Sequence, residues 1–280
     1  MSADPSGLLA VAVSGRGLVD PGQPVLVPDD EGFTRGRAAF ETLRVYNGRP
    51  FRLASHLARL QGSAERIGLE RPDADEFEAL AALALERAEA PEAVLRLYWS
   101  PGPPGGEHRA IVLVGPIPGW IEGARASGQQ LVSLLHPRRS APWLLPATKS
   151  TSYAVAIAAE AEAKARGADD AVFVDADDIV LEGPVTNIWW REGDVLVTPS
   201  LETGILAGET RAALLELARG AGRVVEEGIY PLERLRGADE IFTSSSVREV
   251  MPVVSLDGHP LERGPAADGL QDALREEALR

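Results

Sequence analysis

Apolar positions along this chain change their period several times, and each change marks an element. Segments 7–13 (GLLAVAV), 25–28 and 38–46 carry the short apolar runs and alternation of strands. GRAAFETLRVYNGRPF then reads as a hairpin turning at Asn47-Gly48, a pair suited to the left-handed backbone that a two-residue turn demands. Beyond it Leu57, Leu60, Ala64 and Ile67 recur at helical spacing, which predicts a helix over about 55–68. A second helix is expected from about 74 to 90. Strands AVLRLYW (93–99) and AIVLV (110–114) flank the Pro/Gly loop SPGPPGGEHR.

GPIPGW (115–120) is short and rich in breakers, and past it the pattern changes. A strand near 130–135 leads into LLPATKSTSY, a Pro/Thr/Ser-rich turn before an Ala-rich helix at about 152–166. Short strands AVFVD, DIVLE, VTNIWW and DVLVTP follow with tight turns. A helix opens at Gly208 and ends near Gly220, strands VVEEGIY and EIFTSS come next, and a helix closes the chain. Mixed strands with interspersed helices, in two unequal lobes, give an α/β (α+β) class. The expected division is a smaller N-terminal α/β domain over 1–116, a linker at 117–120 and a larger mixed-sheet domain over 121–280 that carries the Lys149 turn.

Composition narrows the function. The 280 residues suffice for one large domain or two modest ones, each with its own core. A formal charge of −14 argues against a nucleic-acid binder, since affinity for phosphate backbones rests on basic surface. No apolar run is long enough to span a bilayer, and MSADPSG lacks the features of a signal peptide. With no cysteine there is no disulfide or thiolate chemistry, and the cytoplasm is the expected compartment. Histidines 56, 108, 136 and 259 are scattered without the spacing of a metal site, and neither GxGxxG after a strand nor a P-loop occurs.

Lysine usage has two readings, a remnant of biased composition or a pointer to chemistry. Of 28 basic residues only Lys149 and Lys164 are lysine, so the chain chose arginine wherever a surface cation was wanted. An arginine cannot replace a lysine whose deprotonated amine reacts. Lys164 ends a charged helix, where a solvated cation suffices, whereas Lys149 sits in the ATKSTSY turn.

Other residues offer complementary parts. Glu182, in IVLEGPVTNIWW, ends a strand that reads as buried, where a carboxylate needs a cationic partner. The helix start Gly208-Glu209-Thr210-Arg211 exposes N–H groups suited to an anion. Thr243-Ser244-Ser245-Ser246 ends a strand in hydroxyls, and Arg59 lies beside the apolar face of the first helix. Each also has a plain structural reading: solvated charge, turn carboxylate, helix cap or polar loop. Composition and spacing do not choose the ligand.

A resemblance does. FETLRVYNGRPFRLASHLARL, ATKSTSYA, GADDAVFVDADDIVLEGPVTNIWW, GDVLVTPSLETGILAGETR and ADEIFTSSSVREVMPVVSLDG look like the successive signature blocks of the class IV (fold type IV) pyridoxal phosphate-dependent aminotransferases. That family includes branched-chain and D-amino acid aminotransferases and aminodeoxychorismate lyases. The blocks cover roughly residues 30–258, in order and with family spacing.

The resemblance implies pyridoxal 5′-phosphate (PLP) as cofactor and Lys149 as its Schiff-base lysine. Glu182 matches the carboxylate facing the pyridine nitrogen, and Arg59 the phosphate-binding arginine. Tyr153 resembles a residue that in some members hydrogen-bonds the cofactor's 3-hydroxyl, and Leu206 the leucine packed on one face of its ring. Glu209 and Thr210 occupy the phosphate-binding helix start, and Ser245 and Ser246 a second phosphate-contacting turn. Phe40, Thr42 and Arg44, alternating on one strand face, match the lining of the substrate pocket, where Arg44 or Arg96 could hold a carboxylate. The family forms homodimers whose sites lie between the two domains.

Three departures stand out. Gly208-Glu209-Thr210 replaces the frequent Gly-Ile-Thr, so Glu209 can serve a phosphate only through its backbone N–H. Gly36-Arg37-Ala38 stands for the common Gly-Asp-Gly. Pro101-Gly102 stands where D-amino acid aminotransferases carry Arg-Gly. The expected activity is amino transfer between an amino acid or amine and a 2-oxo acid. The alternative is aminodeoxychorismate lyase, which the compact length and Thr42 also fit; a non-catalytic PLP binder is a third reading.

Overall fold

The structure is a computed structural model that describes residues 7–135 and 147–280. It divides into two compact units: Met1–Pro118 with Thr148–Tyr153, and Gly119–Ala147 with Ala154–Arg280.

The first unit contains β1 (Ala10–Val13), β2 (Gly17–Val19), α1 (Glu31–Thr34), β3 (Ala39–Tyr46), β4 (Arg49–Pro50), α2 (Leu53–Arg66), α3 (Ala74–Ala88), β5 (Ala93–Ser100) and β6 (Arg109–Gly115). Its antiparallel sheet runs β2-β1-β6-β5-β3-β4. The β3–β4 turn is the expected one, with Asn47 and Gly48 both at positive φ. Period-two alternation sends Ala39, Leu43 and Val45 of β3 into one core with Leu57 and Leu60 of α2 and Phe77 and Ala81 of α3. The strand expected at 25–28 does not form. Pro24 and Pro28 bracket it without backbone donors, and the Val25 carbonyl accepts instead from Arg109 Nη1 at 2.8 Å.

The Lys149 turn joins this first unit, not the domain over 121–280 in which its sequence position put it. Backbone pairing is the cause. Phe40 N donates to Lys149 O (3.1 Å), Thr151 N donates to Ala38 O (2.9 Å), and Ala39 forms a bridge with Ser150.

The second unit holds α4 (Trp120–Ser127), β7 (Gln129–Leu135), α5 (Ala154–Ala165), β8 (Asp170–Val174), β9 (Asn187–Glu192), β10 (Val195–Pro199), α6 (Glu209–Gly220), β11 (Val225–Gly228), α7 (Leu232–Arg236), β12 (Glu240–Ser245), β13 (Glu249–Leu256), β14 (His259–Pro260) and α8 (Pro265–Leu279). The mixed sheet runs β11-β10-β9-β12-β13-β7-β8, with β14 on β13. The pairs β10/β11, β13/β7 and β7/β8 are parallel. Adjacent tryptophans of β9 fill opposite faces. Trp190 packs with Leu131, Val172, Ile241 and Leu235, while Trp189 stacks on Phe242 at 5.9 Å.

DIVLE (178–182) forms no regular strand: it makes isolated bridges, Val174 to Val180 and Ile179 to Pro231, and Phe173 exchanges backbone bonds with Leu181 and Glu182. Asp175 Oδ1 accepts from Asp177 N and Ile179 N, and Asp178 is left-handed at φ 66°, so a turn consumes the start of the run. Glu182 therefore lies in a loop, half-buried, rather than at the end of a buried strand. Among the described residues no helix is long and apolar enough to cross a membrane, and no cluster of His, Asp and Glu could hold a metal ion.

Candidate active site

Lys149 is fixed at its backbone and rests on an aromatic ring. Its N–H donates to Ser63 Oγ (3.2 Å), and its carbonyl accepts from Phe40 N. Lys149 Nζ stands 4.4 Å from the centroid of the Phe40 ring. That ring is stacked on Tyr98 at 5.7 Å and takes the edge of Tyr153 at 5.4 Å. The β3 strand thus presents Phe40 beneath an amine whose backbone it also holds. Thr42 and Arg96 are cross-strand partners on the same sheet face, and burial raises the Tyr98 hydroxyl against the opposing charge of Arg96.

Arg44 shares that face by alternation, but its guanidinium is engaged elsewhere. It is buried, donates to Glu92 Oε2 at 2.8 Å and lies over the Tyr46 ring. Of the two arginines expected to be able to meet a carboxylate, Arg96 is half-buried and makes no ion pair among the described contacts, whereas Arg44 is paired with Glu92.

Arg59 meets a carboxylate that the sequence reading passed over. Glu41 lies on the β3 face covered by α2 and is fully buried. Arg59 donates Nε to Glu41 Oε1 and Nη2 to Oε2, each at 2.7 Å, and His56 Nδ1 donates to Oε2 at 2.7 Å. Burial alone would raise the Glu41 pKa, but these bonds and the Arg59 charge overcome it and bring it down to about 2. His56 and Arg59 are three residues apart and so share one helix face. The available signal was a glutamate within the apolar alternation of positions 39, 41, 43 and 45.

In the second unit, Glu182 accepts from Leu206 N at 3.1 Å to each oxygen, and from Asn187 Nδ2 at 3.3 Å. This brings together the expected pyridine-facing carboxylate and the expected ring-packing leucine. Two residues past Leu206, Gly208 caps α6 without a side-chain cap bond. A Cβ at Gly208 would stand 2.0 Å from Asn187 Oδ1, so only glycine fits this approach. Glu209 and Thr210 open the helix; Thr210 is buried and Glu209 half-buried. Arg211 lies over the Trp189 ring and pairs with Glu227 at 2.6 Å.

The hydroxyl run at the end of β12 divides its work. Ser244 Oγ accepts from Trp189 Nε1 (3.0 Å) and belongs to the core. Ser245 Oγ accepts from Arg248 N (3.3 Å), and Ser245 and Ser246 are half-buried at the turn.

Comparison with known proteins follows the same outline. A family model described as amino-transferase class IV matches residues 38–256. A bifunctional aminodeoxychorismate lyase / D-amino acid transaminase of Mycobacterium tuberculosis is 35% identical over 276 residues, 93% of this chain and 95% of its own length. A hypothetical aminotransferase from Mycobacterium tuberculosis, in its alpha-ketoglutarate and PMP bound form, gives a TM-score of 0.91 at 34% identity over 96% of this chain and 98% of that one. A PLP-bound form under the same description gives 0.90 at the same identity and coverage.

Proposed function

The chain belongs to the class IV aminotransferases, and on that premise we propose that it is a PLP-dependent transaminase moving an amino group between an amino acid or amine and a 2-oxo acid. The observation that carries this reading is the carboxylate of Glu182, pinned by Leu206 N and Asn187 Nδ2 two residues short of the α6 N-terminus. A fixed anion suits a pyridinium, and a helix start whose cap residue makes no side-chain bond suits a phosphate. In the first unit the Lys149 amine, resting on Phe40, is of the type PLP needs, so the residues of each unit fit the group.

When bound, PLP supplies an electron sink for the carbanion that develops at the substrate Cα. Lys149 would hold the cofactor, and its amine would take up the substrate Cα proton and return a proton as general acid. Glu182 holds a proton on the pyridine nitrogen. Arg59, the N–H groups of Glu209 and Thr210, and the hydroxyls of Ser245 and Ser246 grip the phosphate. By the family match, Leu206 would pack on the ring and Tyr153 would serve its 3-hydroxyl. Phe40 and Thr42 line the substrate pocket, with Arg96 for a carboxylate. The homodimer and the cytoplasmic compartment that the resemblance implies belong to the same proposal.

The test is a half-reaction with a panel of L- and D-amino acids and amines. One equivalent of oxo product and loss of the PLP absorbance with a donor alone support the transaminase; an unchanged spectrum across the panel argues against it. The name of the 35% identical relative favours a second reading, aminodeoxychorismate lyase. Release of pyruvate and 4-aminobenzoate from 4-amino-4-deoxychorismate, with the absorbance kept, would support it.

A further inference from the structure

We propose that Asn187 is the positioning residue for Glu182, setting the rotation of its carboxylate and thereby the protonation of the pyridine nitrogen. This rests on the reading of Glu182 given above. Asn187 opens β9 and is buried at 5% exposure, so its amide must find partners inside the protein. Nδ2 donates to Glu182 Oε2 at 3.3 Å and to Leu206 O at 3.1 Å. Oδ1 lies against Gly208, where an added Cβ would meet it at 2.0 Å. One side chain therefore touches the carboxylate, the residue before the helix turn and the cap of α6.

The bonds of Glu182 show why a second donor matters. Leu206 N is 3.1 Å from both carboxylate oxygens, so it fixes where the group sits but does not distinguish Oε1 from Oε2. Asn187 breaks that symmetry by donating to Oε2. The bond to Oε2 favours one rotation about the Glu182 Cγ–Cδ bond over the other. Since Leu206 O accepts from the same amide, the carboxylate and the leucine move as one piece.

The experiment uses enzyme reconstituted with PLP carrying nitrogen-15 in the ring, with the ring nitrogen shift read by NMR alongside the single-turnover rate for a donor. Glu182→Gln should move the shift toward the deprotonated value. Asn187→Ala should move it the same way, with the rate falling roughly tenfold and half-saturation by donor nearly unchanged. Asn187→Gln, an amide one methylene longer, should not restore the wild-type shift. If Asn187→Ala does not retain PLP, Gly208→Ala is read instead, because its methyl must displace the amide while Asn187 stays in the chain. A wild-type shift in these variants, with Glu182→Gln shifted, leaves Asn187 a sheet residue only and overturns the proposal. An unshifted Glu182→Gln removes the Glu182 reading and this inference with it.

Discussion

Arg59 and Glu41 face each other as a two-pronged pair, Nε to Oε1 and Nη2 to Oε2, each 2.7 Å long, within the first unit. Glu41 sits in β3 and Arg59 in α2, so the bond ties the helix to the sheet while fixing the direction of the guanidinium.

Glu41 makes stability depend on acid. Its pKa is 4.5 in the unpaired reference and about 2 in the folded chain, so its contribution is fully present above pH 4.5 and is lost as the pH falls toward 2. The shift corresponds to something on the order of 3 kcal/mol. Glu41→Gln should lower the melting temperature at neutral pH and flatten its decline between these limits. A variant that declines as steeply as wild type would show that Glu41 does not carry the acid response.

For Arg59 the expected effect is on the phosphate. Arg59→Ala should weaken binding of PLP by roughly tenfold to a hundredfold while leaving pyridoxal, which has no phosphate, nearly unaffected. Equal loss for both ligands would assign Arg59 a structural role alone. Equilibrium dialysis of the apoenzyme measures the two affinities.

Arg44 and Arg96 should separate cleanly. Arg44 is buried and paired with Glu92, so Arg44→Ala is expected to cost stability, about 1–3 kcal/mol, with little change in donor KM. Arg96→Ala should instead raise KM for a carboxylate-bearing donor with a small stability change. Denaturant unfolding and steady-state kinetics on both variants check this, and the opposite pattern would reverse the assignments.

Much of the fold was legible because periodicity reports burial. The Asn47-Gly48 hairpin, the α2 and α6 helices and the β5–β6 pair all follow from spacing and turn chemistry. The misreadings at 25–28 and 178–182 have different causes: prolines deny the first a ladder, while the second pairs with Phe173 but is cut short of a regular strand by the Asp175-centred turn. Lys149 was visible through the scarcity of lysine, but its grouping with β3 depends on backbone bonds, Phe40 N to Lys149 O and Thr151 N to Ala38 O, that no local pattern encodes. Glu41 and Asn187 were missed for a related reason. Each works through a contact with another element, Glu41 with α2 and Asn187 with the 182 and 206 loops.

The Lys149 amine is expected to anchor the cofactor and to move the substrate proton. Wild type and Lys149→Ala, each loaded with PLP, are mixed with an amino donor alone while absorbance and oxo product are followed together. Wild type should lose the visible band of the lysine-linked cofactor and yield one equivalent of product. The variant should lack that band and form product slower by a factor of a thousand or more, roughly. Product formation by the variant at the wild-type rate would contradict the account.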